Sequence, residues 1–328
     1  MLGYDKKYSY PNPIARFLVK SVIGFFFLIS FVTGYGSFCD SFFSQKQYLD
    51  LSEKKQWVLA QQGGSYDYAV LGSSRAFGAF DMNLLDSLSG WNGINLGSNG
   101  SGFKDNYLVL ALFLKSNKIK RLFLQVDMGS LNSKSSFSNE FHAFTFMPYW
   151  EEPEVREVLK AEIPLLDNPI SSTFPQWRYF YFNKYFSPKE VWRRVMGVEQ
   201  SEDRYKKVKG GMQSSAIRVQ FEETEIKLYS QPENIDKEDF DFLNRIVQLT
   251  KTQNIHTTLF VAPRYESDNQ KLKAVLGQYS NATIFPEGFD ESDRAMFQDQ
   301  GHLSEYGRFL FTKMFFEKFD KTEENISL

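Results

Sequence analysis

Three residues toward opposite ends of this chain have the types and spacing needed for acyl transfer. The apolar run Tyr68-Ala69-Val70-Leu71 breaks into Gly72-Ser73-Ser74-Arg75, a strand-end turn that presents a serine. Far downstream, Asp299-Gln300-Gly301-His302-Leu303 places a carboxylate three residues before a histidine. A serine hydroxyl is a poor nucleophile until a base takes its proton. His302 is the candidate base. Asp299, at that loop spacing, can reach the imidazole edge away from Ser74 and fix its tautomer. Of the other two histidines, His256 leads into an apolar strand and His142 lies in an aromatic-rich stretch. A tetrahedral intermediate also needs hydrogen-bond donors for its oxyanion. The amides of Ser74 and of Gly97, in the loop Gly97-Ser98-Asn99-Gly100-Ser101-Gly102, are candidates, because glycine allows close backbone approach. Each motif alone is commonplace: a Gly-Ser-Ser turn is usually only a turn, and Asp-x-x-His is often a surface pair. Their joint occurrence, in the order Ser…Asp…His, carries the catalytic reading.

The elements that position these residues alternate between short apolar runs and helical periods. Strands are predicted at about Asp67–Leu71, Gly93–Leu96, Arg121–Asp127, Thr257–Ala262 and Ala282–Phe285. Phe77, Phe80, Leu84, Leu85 and Leu88 recur at helical spacing, and Gly90 stops that run. Further helices are expected at about Tyr48–Gln61, Lys104–Ser116, Lys237–Gln253, Ser267–Gln278 and Ser304–Phe319. Strands without polar alternation suit a parallel sheet covered on both faces. The order implies an α/β fold, a doubly wound three-layer αβα sandwich, in which ligands bind beyond the carboxyl ends of the strands. Ser74, Gly97 and Asp127 all fall there.

From about 130 to 234 the alternation lapses. This insertion holds Trp150, Trp177, Trp192 and Arg178-Tyr179-Phe180-Tyr181-Phe182, and reads as a packed cap or a carbohydrate-stacking platform. Residues 1–16 read as a cytoplasmic N-terminus, 17–38 as a transmembrane anchor, 39–65 as a linker with a helix, and 66–328 as the main domain. The stretch Ser21–Phe38 is uncharged over about 18 residues, enough to span hydrocarbon. Lys6, Lys7, Arg16 and Lys20 precede it and Asp40 follows, which places the domain outside the cytoplasm, on the outer or periplasmic face. A cleaved signal peptide and a buried core helix are the alternative readings.

Composition narrows the rest. With 33 Phe and 17% aromatics the chain has ample material for a core. The net charge of -2 gives no support to nucleic-acid binding. The single cysteine, Cys39, rules out a disulfide framework and a cysteine-based metal site.

At Gly72-Ser73-Ser74, Asn95-Leu96-Gly97 and Asp299-Gln300-Gly301-His302 the chain resembles the SGNH/GDSL hydrolase superfamily, over roughly 65–130 and 235–320. The Gly-Ser-Ser-Arg variant behind an N-terminal membrane helix is similar to its divergent envelope branch, which includes proteins of exopolysaccharide O-acetylation and teichoic-acid D-alanylation. The resemblance implies an SGNH/flavodoxin-like fold with Ser74 as nucleophile. It also implies an esterase or O-acyltransferase acting on acyl, above all acetyl, esters of a cell-envelope polysaccharide. A multispanning membrane acyltransferase is the implied partner; no cofactor or metal is implied. The chain departs from the family after the third strand. Where the family carries Gly-x-Asn-Asp, it reads Gln125-Val126-Asp127-Met128-Gly129. An ionised Asp127 cannot donate to an oxyanion, so Asn99 or Asn132 substitutes, or the hole is weaker. Arg75 and Asp127 remain as candidate substrate-binding residues, Arg75 for an anionic group or for a structural pair. Two rivals follow: a catalytically degenerate SGNH fold that binds glycan or scaffolds an envelope complex, and a metal-dependent hydrolase using Asp127, Asp299 and His302.

Overall fold

The computed structural model describes residues 12–45, 53–132, 140–163, 166–167, 169, 202–212, 235–265, 270–277 and 284–326. Trp177, Trp192 and the run 178–182 lie outside them.

The chain opens with helix α1 (Pro13–Gln45) and the short helix α2 (Glu53–Leu59), and then enters the sheet. Strand β1 (Ser65–Leu71) is followed by helices α3 (Ser74–Ala79) and α4 (Met82–Ser89), then β2 (Gly93–Asn95), α5 (Phe103–Ser116) and β3 (Lys118–Gln125). Helices α6 (Glu140–Thr145), α7 (Pro153–Glu162) and α8 (Glu202–Lys207) belong to the insertion. The regular pattern resumes with α9 (Lys237–Thr252), β4 (His256–Phe260), α10 (Gln270–Leu276) and α11 (Glu305–Ile326).

The four strands form one parallel sheet in the order β2-β1-β3-β4. From β1 the chain crosses to β2 on one side, then back to β3 on the other. That reversal makes the carboxyl ends of β1 and β3 a topological switch point, the usual ligand position in such sheets. Of the predicted strand at 282–285, residues 282 and 283 lie outside the described residues, and Ile284 makes a parallel bridge with Phe260.

Both faces of the sheet are apolar, as continuous strands require. Ala69, Leu71, Leu122, Leu124 and Leu259 point to one side, where they join Leu108 and Leu112 of α5 and Phe242 and Ile246 of α9. Tyr68, Val70, Phe123 and Phe260 point to the other, against Phe80, Leu85, Phe311, Phe315 and Phe319. The predicted single helix over Phe77–Leu88 is two helices. Asp81 breaks it, because its carboxylate accepts from Asn83 N (3.1 Å) and Leu84 N (3.0 Å) and starts α4 afresh.

The described parts of the insertion share the main core. Phe144, Phe146, Met147, Trp150, Val155 and Leu159 are buried with the first set of strand residues. The segment after α8 returns to the free edge of β2, where Lys209 O accepts from Asn95 N at 2.9 Å. Within α1, Pro13–Phe38 is long and apolar enough to cross a membrane. Phe25, Phe26, Phe27 and Phe31 are exposed on it. Val32 and Gly36 are buried, and the α1 segment that holds them neighbours the turn Met147–Tyr149.

Candidate active site

Ser74 is the first residue of α3, directly after the β1 turn. Ser73 caps that helix, its Oγ accepting from Arg75 N at 3.3 Å. The turn depends on Gly72. Its φ is +153°, and a Cβ there would lie 2.7 Å from Gln125 Cβ and Oε1 and 2.8 Å from Ala76 Cβ. Strand end and helix start therefore meet too closely for any side chain.

His302 reaches this turn from a tight loop near the other end of the chain. Phe297 and Leu303 pair across it as an isolated antiparallel bridge, and both are buried on the α11 side of the sheet. Gln298 N donates to His302 O at 2.9 Å. Asp299 closes the loop: its Oδ1 accepts from Gly301 N at 2.8 Å and from His302 N at 2.9 Å. The same carboxylate faces His302 Nδ1, at 2.8 Å from Oδ1 and 2.9 Å from Oδ2. His302 Nε2 then stands 2.8 Å from Ser74 Oγ. With Nδ1–H donating to a carboxylate, Nε2 carries the lone pair and accepts the serine proton. Burial pushes the Asp299 carboxyl up, but the hydrogen bond from His302, the charge of that ring when protonated, and the two loop amides outweigh it, and the group lies below its ordinary value. It is therefore ionised at neutral pH, as an orienting acid must be.

The expected oxyanion donors divide. Ser74 N has no partner among the described residues, as the first turn of a helix allows. Gly97 N does have one, donating to Asn95 Oδ1 at 2.8 Å. This corrects the expectation of an open Gly97 amide. Asn95 ends β2 and folds its side chain back over the next turn, where its Nδ2 also donates to Ala76 O at 3.0 Å. Gly97 is still required. A Cβ there would meet Phe77 N at 2.8 Å, so the loop lies directly on α3. Asn99 is exposed, with no hydrogen-bond partner among the described residues. Asn132 ends the turn Ser130–Asn132, and its side chain lies outside the described set.

Arg75, open between an anionic substrate and a structural pair, and Asp127, a candidate for substrate binding, meet each other. Arg75 Nη1 lies 3.1 Å from Asp127 Oδ2, with both side chains mostly buried. Arg75 Nη2 also donates to Ala262 O, and its Nε is buried without a partner among the described residues. Asp127 Oδ1 accepts from Ser130 N at 2.7 Å. Burial pushes the Asp127 carboxyl up. The Arg75 guanidinium, the Ser130 amide and Gln125 more than offset this and hold it below the usual range. The pair thus joins the first turn of α3 to the segment that follows β3.

Gln125 is the residue that motif reading passed over. It is buried at the end of β3, and its Oε1 accepts from Ser73 N at 3.0 Å and Ser73 Oγ at 2.9 Å, while its Nε2 donates to Asp127 Oδ2. It occupies the place where a third-block donor was sought, but its amide faces Asp127. The lone polar residue within the run from Leu122 to Val126 was the available signal.

Among the described residues no three His, Cys, Asp or Glu side chains gather as ligands for an ion. His256 begins β4, away from the strand ends that carry Ser74. Comparison with known proteins finds no family model that matches this chain and no curated protein that matches it.

Proposed function

We propose that this protein is a membrane-anchored serine esterase or O-acyltransferase of SGNH type, with Ser74, His302 and Asp299 as its triad. One observation carries the reading: the unbroken relay from Asp299 through His302 to Ser74 Oγ just beyond the carboxyl end of β1. In this mechanism Ser74 Oγ attacks an ester carbonyl while His302 Nε2 takes its proton, and ionised Asp299 stabilises the imidazolium. The tetrahedral intermediate collapses, and His302 returns the proton to the leaving alcohol. Water or a glycan hydroxyl then attacks the acyl-serine by the same steps reversed. Ser74 N serves the oxyanion. Gly97 N serves it only by leaving or sharing Asn95 Oδ1.

Helices packed against both faces of the parallel sheet support the three-layer αβα sandwich that the resemblance implies. The substrate class, an acylated (above all acetylated) envelope polysaccharide, and a multispanning acyltransferase partner come from the same resemblance. The apolar span and the basic residues before it support a single-pass protein with its catalytic domain outside the cytoplasm.

The test is covalent labelling of the full-length protein by a fluorophosphonate, with turnover of small acetyl esters. Labelling at Ser74 that disappears in Ser74→Ala is the expected result. A second reading, a degenerate glycan-binding or scaffolding fold, draws on the engaged Gly97 amide and the absent third-block Asn. Wild-type protein that neither labels nor turns over ester, but binds acylated glycan, would favour it.

A further inference from the structure

Two consecutive lysines of α2 are buried, and each holds one end of the loop from Gly97 to Gly102. Lys54 Nζ donates to Asn95 O, just before the loop. Lys55 Nζ lies 2.6 Å from Asp105 Oδ1, just after it, in a pair that is 1% and 0% exposed. Asp105 in turn accepts from Gly102 N at 3.3 Å and so caps α5 where the loop ends. Asn95 is the residue whose side chain holds Gly97 N and Ala76 O, which ties the loop to the helix that carries Ser74.

The Lys54 site is closed on every described side. Its Nζ sits 4.4 Å from the Trp57 ring centre, 5.6 Å from Tyr205 and 5.8 Å from Phe77. A Cβ on Gly210 would meet Asn95 O at 2.4 Å and Lys54 Nζ at 2.6 Å. No carboxylate pairs with Lys54 among the described residues, and burial lowers its Nζ well below the ordinary value. A methionine would fill such a box without that desolvation cost. What the lysine adds is a donor fixed on the Asn95 carbonyl.

We infer that Lys54 and Lys55 are positioning residues of the acyl-transfer site, and that α2 sets the loop 97–102 against the Ser74 helix from both ends. This rests on the serine-hydrolase reading above.

The experiment uses full-length protein in detergent. Wild type, Lys54→Met and Asp105→Asn are compared by hydrogen exchange and by fluorophosphonate kinetics. Asp105→Asn weakens the Lys55 pair while keeping an oxygen for Gly102, so it covers the case in which Lys54→Met does not fold. Expected is a rise of about tenfold or more in amide exchange confined to 97–102, with β1 and β3 unchanged. The maximal rate of Ser74 labelling should fall about tenfold or more with little change in probe affinity. Unchanged loop exchange in the folded variants overturns the inference, and so does looser exchange with wild-type labelling. If wild type itself fails to label Ser74, the serine-hydrolase reading falls, and exchange alone decides whether α2 clamps the loop.

Discussion

His302 Nε2 stands 2.8 Å from Ser74 Oγ across 228 residues of chain. Nothing local brings the two together. Ser74 is placed by β1 and the Gly72 turn, and His302 by the Phe297–Leu303 bridge and the Asp299 carboxylate. Ser74→Ala should therefore abolish ester turnover, by on the order of 10⁴ or more, because triad members act as a unit. Stability should change by less than about 0.5 kcal/mol, since the side chain is partly exposed. Turnover measured beside a urea melt checks both. Unchanged turnover in the purified variant would mean another nucleophile.

Gln125→Leu should hurt both stability and reactivity. The apolar side chain leaves Ser73 N without its acceptor and Asp127 without one of its donors, in a buried position. The expected loss is about 1–3 kcal/mol. Labelling of Ser74 should slow as well, because Ser73 is the cap of its helix. A urea midpoint equal to wild type would show that the Gln125 bridge is idle.

These residues also mark what was legible in the sequence. The strands could be read because each carries a short apolar run at its carboxyl end, and the proximity of Ser74, His302 and Asp299 because they sit in two short motifs, one at a strand end and one in a loop. The role of Gln125 could not, since it arises from the parallel register that sets Leu71 beside Leu124. Lys54 and Lys55 looked like a polar linker helix, but both are buried, Lys54 beside Tyr205 and Gly210 with its Nζ on Asn95 O, and Lys55 against Asp105, partners that lie far from α2 in sequence. Phe77 to Leu88 had one helical period, and the break lay in the carboxylate of Asp81, which helical periodicity does not weigh. Arg75 was open between substrate and structure, and its nearness to Asp127 depends on two adjacent strand ends.

Replacing Arg75 by methionine should change how stability depends on pH. Asp127 is held below the usual carboxylate range, with burial opposing and Arg75 the largest of the lowering influences. Such a group stabilises the fold in full above its unfolded value, about 3.9, and loses that contribution as pH falls through the lower folded value. In Arg75→Met, burial meets less opposition and the folded value rises. The variant should then lose stability mainly above about pH 4, its melting temperature falling less steeply toward acid so that the two curves converge there. Melts between about pH 3 and 7 compare the two proteins. Curves that stay parallel would show that the pair contributes nothing through Asp127.

Two glycine substitutions separate backbone strain from site geometry. Gly90 has φ +71° with open space around it, so Gly90→Ala should cost only the left-handed backbone, about 1–2 kcal/mol, and leave labelling unchanged. Gly72 has both an unfavourable φ and a Cβ position 2.7 Å from Gln125. Gly72→Ala should therefore displace the Ser73–Gln125 contact and slow Ser74 labelling in whatever fraction remains folded. Equal labelling rates for the two variants would show that the turn tolerates the displacement.

The last prediction concerns the side of the membrane. Lys6, Lys7, Arg16 and Lys20 all precede the apolar span Pro13–Phe38 or lie in its first turns, and Asp40 follows it. Basic residues near a span stay on the cytoplasmic side, while acidic residues contribute little to orientation. The domain after α1 should then face outward, where an envelope glycan is accessible and cytoplasmic acyl donors are not. Protease added to intact spheroplasts should digest the C-terminal domain and spare a short N-terminal tag. Neutralising all four basic residues to glutamine should make a fraction of the molecules protease-resistant by reversing them. Complete protection of the wild-type domain would invert the topology, and with it the proposed access to extracytoplasmic substrate.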